Sequence, residues 1–368
     1  MQAYREGHEG RLMRSIKCLL GSSLINEQTL VNGRMVSLFE VVVLFFKELK
    51  RRCERELGHP VDAALLGRPV HFVDDDAQRD AQAQATLGEA AYAAGFTSVQ
   101  FQLEPIAAAF DYEQRVTAEG TVLVVDIGGG TSDFTVARVG PDRAVLADRG
   151  SDILATTGVH IGGTDFDQLL NLRHVMPLLG LGHTGPHGRS MPSSLFHALS
   201  TWHLVPQCYT RKSLHDAAQL RSDYTEPALH KRLMHVLHER QGHRILAHTE
   251  AAKIDCSNTR ADAQIELGCI ERGLGVPLTP AGLDATLQAQ VASIVACAQA
   301  GLARSGVPAN RLQALYLAGG SAAVAPLGVA RGEAFPGAQL VTGDRRGSGA
   351  AGRADGGAAV GRAMAVES

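Results

Sequence analysis

The chain lacks almost everything that would mark a secreted, membrane-spanning or nucleic-acid-binding protein. Its six cysteines, Cys18, Cys53, Cys208, Cys256, Cys269 and Cys297, form no CxxC pair and are irregularly spaced. That pattern excludes a disulfide framework or a zinc ribbon and reads as reduced thiols of a cytoplasmic protein. Aromatic residues are 5% of the chain, too few for a base-stacking surface. The formal net charge of −3 provides no basic field for nucleic acid. No apolar run reaches the roughly 20 residues needed to cross a bilayer. The longest, Val36 to Phe46, is interrupted by Glu40. The N-terminus, Met1-Gln-Ala-Tyr-Arg-Glu-Gly-His, has no apolar core of a signal peptide.

Glycine is abundant, with 40 in 368 residues, and it is clustered. Gly128-Gly129-Gly130, Gly162-Gly163 and Gly319-Gly320 each follow or join apolar runs. Strands are expected at 61–66, 98–103, 121–125, 134–139 and 312–317. Helices are expected at 34–57, 76–94, 104–112, 244–254 and 283–304, several bounded by Gly or Pro. This alternation predicts an α/β protein. Residues 180–245 hold nine of the 15 histidines. Their periodicity is weak, and they read as a surface-facing insertion.

The most informative stretch is Asp126-Ile-Gly-Gly-Gly-Thr-Ser-Asp133 between two strands. Successive glycines let backbone N–H groups approach a phosphate closely. A carboxylate at the strand end, Asp126, is placed to hold Mg²⁺ directly or through water. Thr131 adds a hydroxyl and Asp133 a second carboxylate. A Walker loop is excluded, because no GxxxxGK[ST] occurs and a strand rather than a helix follows. Taken alone, Gly162-Gly163 reads as a turn. Two other patterns are decoys. Gly347-Ser-Gly-Ala-Ala-Gly352 matches GxGxxG without a βαβ unit after it. His238 and His243 lie five apart, a spacing that puts them on different faces of a helix. Cys256 and Cys269 read as buried thiols.

In combination these segments resemble the DnaK-type (70 kDa heat-shock) chaperones of the actin-like ATPase superfamily. Val122 to Asp133 resembles the family's second phosphate motif, and Glu104-Pro-Ile-Ala-Ala-Ala-Phe-Asp-Tyr112 its first hinge helix. Ile161-Gly-Gly-Thr-Asp-Phe-Asp167 resembles the following loop, with Thr164 where the family usually has an acid. Glu250-Ala-Ala-Lys253 with Ser257 resembles the helix that holds adenosine, with Ile254 where an arginine usually stacks on adenine. Leu317-Ala-Gly-Gly-Ser321 resembles the adenosine motif, and Ser15 to Gly21 the segment of the catalytic lysine, here Lys17. With Gly67-Arg-Pro69, the set looks closest to the YegD-type branch, which has no peptide-binding domain.

The resemblance implies a two-lobed, ribonuclease H-like fold with ATP or ADP and Mg²⁺ between the lobes. The implied catalytic residues are Lys17, Glu104 and Asp126, with Asp126 also serving Mg²⁺ through water. The implied nucleotide-binding residues are Gly128, Gly129, Gly130, Thr131, Gly162, Gly163, Glu250, Lys253, Ser257, Gly319, Gly320, Ser321 and Asp344. Client or co-chaperone proteins are the implied partners. The family's first phosphate clamp, G-x-D-x-G-T, has no counterpart here. The reading therefore expects an N-terminally truncated, incomplete first lobe over 1–118. It expects a second lobe over 119–343 with an insertion at about 170–280, and a Gly/Ala/Arg-rich tail over 344–368. Hydrolysis is expected to be weak. The alternatives are a nucleotide-binding module that does not hydrolyse, or a sugar or metabolite kinase of the same superfamily.

Overall fold

Ser37 decides where the long apolar segment becomes helical. Its hydroxyl accepts from the Glu40 amide, and the Glu40 carboxylate accepts from the Ser37 amide, a reciprocal cap at a helix start. Helix α1 is therefore Leu38–Leu57. The residues before it, expected to be helical, instead form strand β2 (Arg34–Ser37), paired antiparallel with β1 (Gln28–Val31). Gly58 ends α1 at φ 74°, a left-handed conformation that glycine adopts without strain. The helix is buried on one face only. Val42, Val43 and Phe46 are inside, while Leu44 and Phe45 are exposed.

The computed structural model describes residues 20–21, 23–31, 34–73, 76–114, 116–146, 149–320 and 324–342. Lys17, Ser321, Asp344 and the 344–368 segment lie outside these residues. Among them, the first unit holds β3 (Ala63–Arg68), α2 (Ala77–Ala93) and β4 (Ser98–Leu103) beside α1. β3 and β4 form a two-stranded parallel sheet. Ala64 and Leu66 pack with Val42, Phe46, Ala83 and Leu87.

Helix α3 (Glu104–Glu113) leads into the main sheet, with Pro105 in its first turn. That sheet has five strands in the order β11-β10-β5-β6-β7. β5 (Gly120–Ile127), β6 (Ser132–Val139) and β7 (Ile153–Val159) run as an antiparallel meander. β10 (Leu312–Ala318) and β11 (Gln339–Thr342) add in parallel. β5 is thus central, antiparallel to one neighbour and parallel to the other. The expected α/β class holds, with a mixed sheet consistent with an actin-like ATPase fold.

Strand alternation splits the sheet into two faces. Val122, Val124, Ala137, Val139 and Tyr316 face Ile106, Ala108 and Ala109 of α3. Leu123, Val125, Ile127, Phe134 and Val136 face the larger core. That core takes in α4 (Gly163–Leu170), α5 (Ser194–Ser200), α6 (Arg211–Gln219), α7 (Pro227–His238), α8 (Gly242–Thr259), the hairpin β8 (Ala263–Glu266)–β9 (Gly275–Leu278), and α9 (Pro280–Arg304). α10 (Ala325–Ala334) precedes β11.

The 180–245 region is more than a surface addition. Phe196, Leu199, Leu233 and Leu237 are fully buried in this same core. Its helices run 7 to 12 residues, too short to display a long apolar period in sequence. Gly180, at φ 115°, lies directly under the Tyr224 ring, whose hydroxyl donates to the Leu179 carbonyl at 2.8 Å. Cys208 and Cys256 are buried and Cys269 is half-buried. No helix among the described residues is long and apolar enough to cross a membrane.

Candidate functional site

Asp126 closes β5 and Asp133 lies opposite it in the β5–β6 register, so the two carboxylates are cross-strand neighbours. The four-residue turn between the strands is built from backbone contacts. The Gly128 amide donates to the Thr131 carbonyl at 2.9 Å. The Thr131 hydroxyl donates to Asp133 Oδ2 at 3.0 Å. Gly129 and Gly130 are exposed, and nothing lies within 4 Å of the point where a Gly130 side chain would begin. This opening, edged by glycine amides, a hydroxyl and two carboxylates, has the donor set of a phosphate cradle.

The second glycine pair holds this turn from behind. The Gly163 amide donates to the Gly128 carbonyl at 3.0 Å, and the Thr164 amide to the Gly129 carbonyl at 2.7 Å. The Thr164 hydroxyl donates to that same carbonyl at 2.7 Å. An acid at position 164 could not make that hydroxyl bond, which gives the departure from the family pattern a physical role. Gly162 sits so close that a Cβ there would come within 2.6 Å of the Gly129 backbone. Gly162-Gly163 is therefore no simple turn. Gly162 caps α4, and α4's first residues lock the cradle. Ser132, fully buried, adds a 2.7 Å bond to the Ile161 carbonyl.

Two further expected residues, both on α8, make contact with α4 and α10. The Lys253 ammonium is buried and pairs with Asp167 at 2.8 Å, within 3.4 Å of the Gly163 carbonyl. In this structure it anchors the 161–167 segment. The Ser257 hydroxyl accepts from the Ala325 amide at 2.7 Å, joining α8 to the start of α10. Glu250, Lys253, Ile254 and Ser257 follow the i, i+3, i+4, i+7 spacing of one helix face. Glu250 is half-buried and Ile254 is 49% exposed.

Gly319 completes the arrangement. At φ 78° it turns out of β10 so tightly that a side chain there would begin 2.5 Å from Asp126 Oδ1. Gly320 beside it is exposed. Asp126, Gly128–Gly130, Thr131, Gly162, Gly163, Lys253 and Gly319 are thus tied into one set by contacts running from the hairpin through α4 to α8 and back from β10, with Gly320 next to Gly319 and Ser257 one turn beyond Lys253 on α8. Glu104 opens α3, which lies on the sheet face of Val122 and Val124. That is also the face of Asp126, by strand alternation.

The decoy histidines separate. His238 ends α7, while His243 lies in α8 with Nε2 2.9 Å from the Trp202 carbonyl oxygen. No group of three or more His, Cys, Asp or Glu is gathered for a metal among the described residues.

One feature had no signal in the sequence. At the far end of β5 and β6, Glu113, Arg149 and Asp152 are all buried. Arg149 grips Glu113 with two bonds of 2.8 and 3.0 Å and also donates to Asp152. Arg143 bridges Asp152 and Glu119. Burial works against the Arg149 charge, but hydrogen bonds to Glu113 and Asp152 outweigh it and hold its pKa above the ordinary value. The partners are up to 39 positions apart and were individually ordinary charges in sequence.

Residues 21–177 match the family described as Hsp70 protein. A chaperone protein HscA homolog of Pseudoalteromonas atlantica is 36% identical over 152 residues, which is 41% of this chain and 22% of that protein. Chaperone protein DnaK of Thermosipho melanesiensis is 35% identical over 160 residues, 43% of this chain and 24% of that protein. An HscA homolog of Laribacter hongkongensis is 40% identical over 129 residues, 35% of this chain and 19% of its own. The chain thus spans about a quarter of the length of these relatives. The family match contains the Asp126–Asp133 hairpin and the 161–167 loop, while Glu250 to Gly320 lie beyond it. Over residues 21–177 the chain is therefore similar in sequence to the Hsp70 family and to DnaK and HscA chaperones.

Proposed function

We propose that the chain binds ATP or ADP with Mg²⁺ and hydrolyses ATP slowly. The observation that carries this reading is the glycine hairpin after Asp126, backed by Gly162–Thr164 and flanked by Gly319. Its open backbone turn suits phosphate, and its oxygen donors suit a hard cation that keeps several waters. In this reading Gly128, Gly129, Gly130 and Thr131 receive the phosphates. Asp126 holds Mg²⁺ through water, and Glu104 orders that water. When bound, Mg²⁺ neutralises phosphate charge. Gly162 and Gly163 support the cradle. Glu250, Lys253, Ser257, Gly319, Gly320, Ser321 and Asp344 serve the nucleoside side, and Lys17 serves the γ-phosphate.

Slow hydrolysis follows from counting donors. Phosphoryl transfer depends on positioning and charge stabilisation. Among the described residues the Asp126–Asp133 turn is the one glycine hairpin of this type, and the sequence has no G-x-D-x-G-T stretch. Loss of a single well-placed donor can cost about 10²–10³ in rate. The division into a first unit over 1–118 and a second lobe over 119–343 belongs to this reading. So do the YegD-type branch, a cytoplasmic location, and a role with client or co-chaperone proteins.

Isothermal titration of the folded chain with ADP, with and without Mg²⁺, tests the proposal. Binding that Mg²⁺ tightens, and that Asp126→Ala loosens only in the Mg²⁺ arm, is the expected result. Absence of heat at high protein concentration overturns it. Steady-state turnover of ATP, with sugars as a second arm, separates slow ATPase from kinase.

A further inference from the structure

Helix α3 joins the β3–β4 unit to the main sheet. It packs through Ile106, Ala108 and Ala109. Alanine surfaces have shallow ridges and fix the separation of packed elements better than their register along the helix axis. The register is instead set at the helix's last residue. Glu113 Oε1 accepts from the Gly140 amide at 2.9 Å and from Arg149 at 2.8 Å, and Oε2 accepts from Arg149 at 3.0 Å. Arg149 is itself held by Asp152, and Asp152 by Arg143. All of these partners lie on the connection from β6 to β7, at the end of the strands remote from the Asp126 turn.

A helix of this length spans about 15 Å. Its far end is Glu104. We propose that Arg149 is a positioning residue: by clamping Glu113 to the β6–β7 connection, it holds α3, and Glu104 with it, in register with the Asp126 hairpin. The clamp touches no ligand and acts only through the helix. The part of this inference that concerns Glu104 rests on the nucleotide reading above.

The test compares the full chain with Arg149→Met, Arg149→Lys and Glu113→Gln, using two readouts. Hydrogen exchange without nucleotide follows the amides of 106–113. In Arg149→Met they are expected to exchange about tenfold faster over and above the acceleration that the variant's overall loss of stability gives the β5 and β6 amides. Titration with ADP follows the gain in affinity on adding Mg²⁺. That gain is expected to fall about tenfold, as when a group behind a metal ligand is removed. Affinity without Mg²⁺ stays the same, and Arg149→Lys recovers part of the gain. A folded Arg149→Met chain with wild-type exchange over α3 and a wild-type Mg²⁺ gain overturns the proposal. If Arg149→Met does not fold, the milder Glu113→Gln decides on the same readouts. A wild-type chain that binds no ADP overturns the nucleotide reading, and exchange over α3 then decides the clamp alone.

Discussion

The two ends of the β5–β6 pair are built from opposite materials. At the hairpin end, contacts run through the backbone and the small hydroxyls of Thr131, Ser132 and Thr164, and bulky side chains are kept away. Gly162 and Gly319 approach so closely that a methyl group has no room. At the other end the backbone supplies little, and five charged side chains, the buried Arg149 among them, interlock. The first arrangement leaves a surface on which a ligand can lie. The second leaves none, and fixes one element against another. The difference teaches that an open, glycine-built surface and a rigid, charge-locked joint can be separated along the same two strands.

Changes at either end should therefore have different signatures. The largest effect on stability is expected from Arg149→Met. It leaves Glu113 buried without its cation and Asp152 with Arg143 alone, a loss of about 3–5 kcal/mol. Urea unfolding measures it, and a loss under about 1 kcal/mol would break the contrast. Next comes Gly162→Ala, where the new methyl meets the Gly129 backbone. Overpacking of this kind costs about 1–3 kcal/mol, and affinity for ADP should fall with it, because the cradle is displaced. Ser257→Ala removes the acceptor of the Ala325 amide. The expected loss is about 1 kcal/mol, seen as a small shift of the same unfolding curve. The smallest stability effect belongs to Asp126→Asn, expected within about 0.5 kcal/mol of wild type for a half-exposed strand end. Its mark should instead be a weakened Mg²⁺ dependence of ADP binding. If Asp126→Asn destabilises as much as Arg149→Met, the two ends are not different in kind.

The same contrast explains what could be read from the sequence. The hairpin was legible because its requirements are local. A strand, an acid, three glycines and a second strand follow one another within twenty residues. β4 was legible from its alternation, α2 from its Ala, Gln and Glu content and the glycine that follows it, and α9 from its run of alanines. The start of α1 was misread, because a run of apolar residues from Val36 hides the cap at Ser37, which only the Ser37–Glu40 pair reveals. The 180–245 helices were undervalued because each is too short to show its buried side. The Arg149 clamp was illegible for a plainer reason. Charge pairing between Glu113, Arg149 and Asp152 depends on two connections meeting in space, and no spacing rule encodes that.

The position of β5 in the sheet has a consequence for synthesis. Its antiparallel neighbour β6 is made within seconds of it, but its parallel neighbour β10 follows about 190 residues later. At roughly 5–20 residues per second, a ribosome needs about 10–40 s to supply it. During that interval one edge of the central strand, apolar from Val122 to Val125, stands without its permanent partner. The Gly319 wall of the site arrives only with β10. A nascent chain therefore displays the Asp126 hairpin long before Gly319 arrives beside it, and a stall between the two would leave a sticky strand edge in the cell.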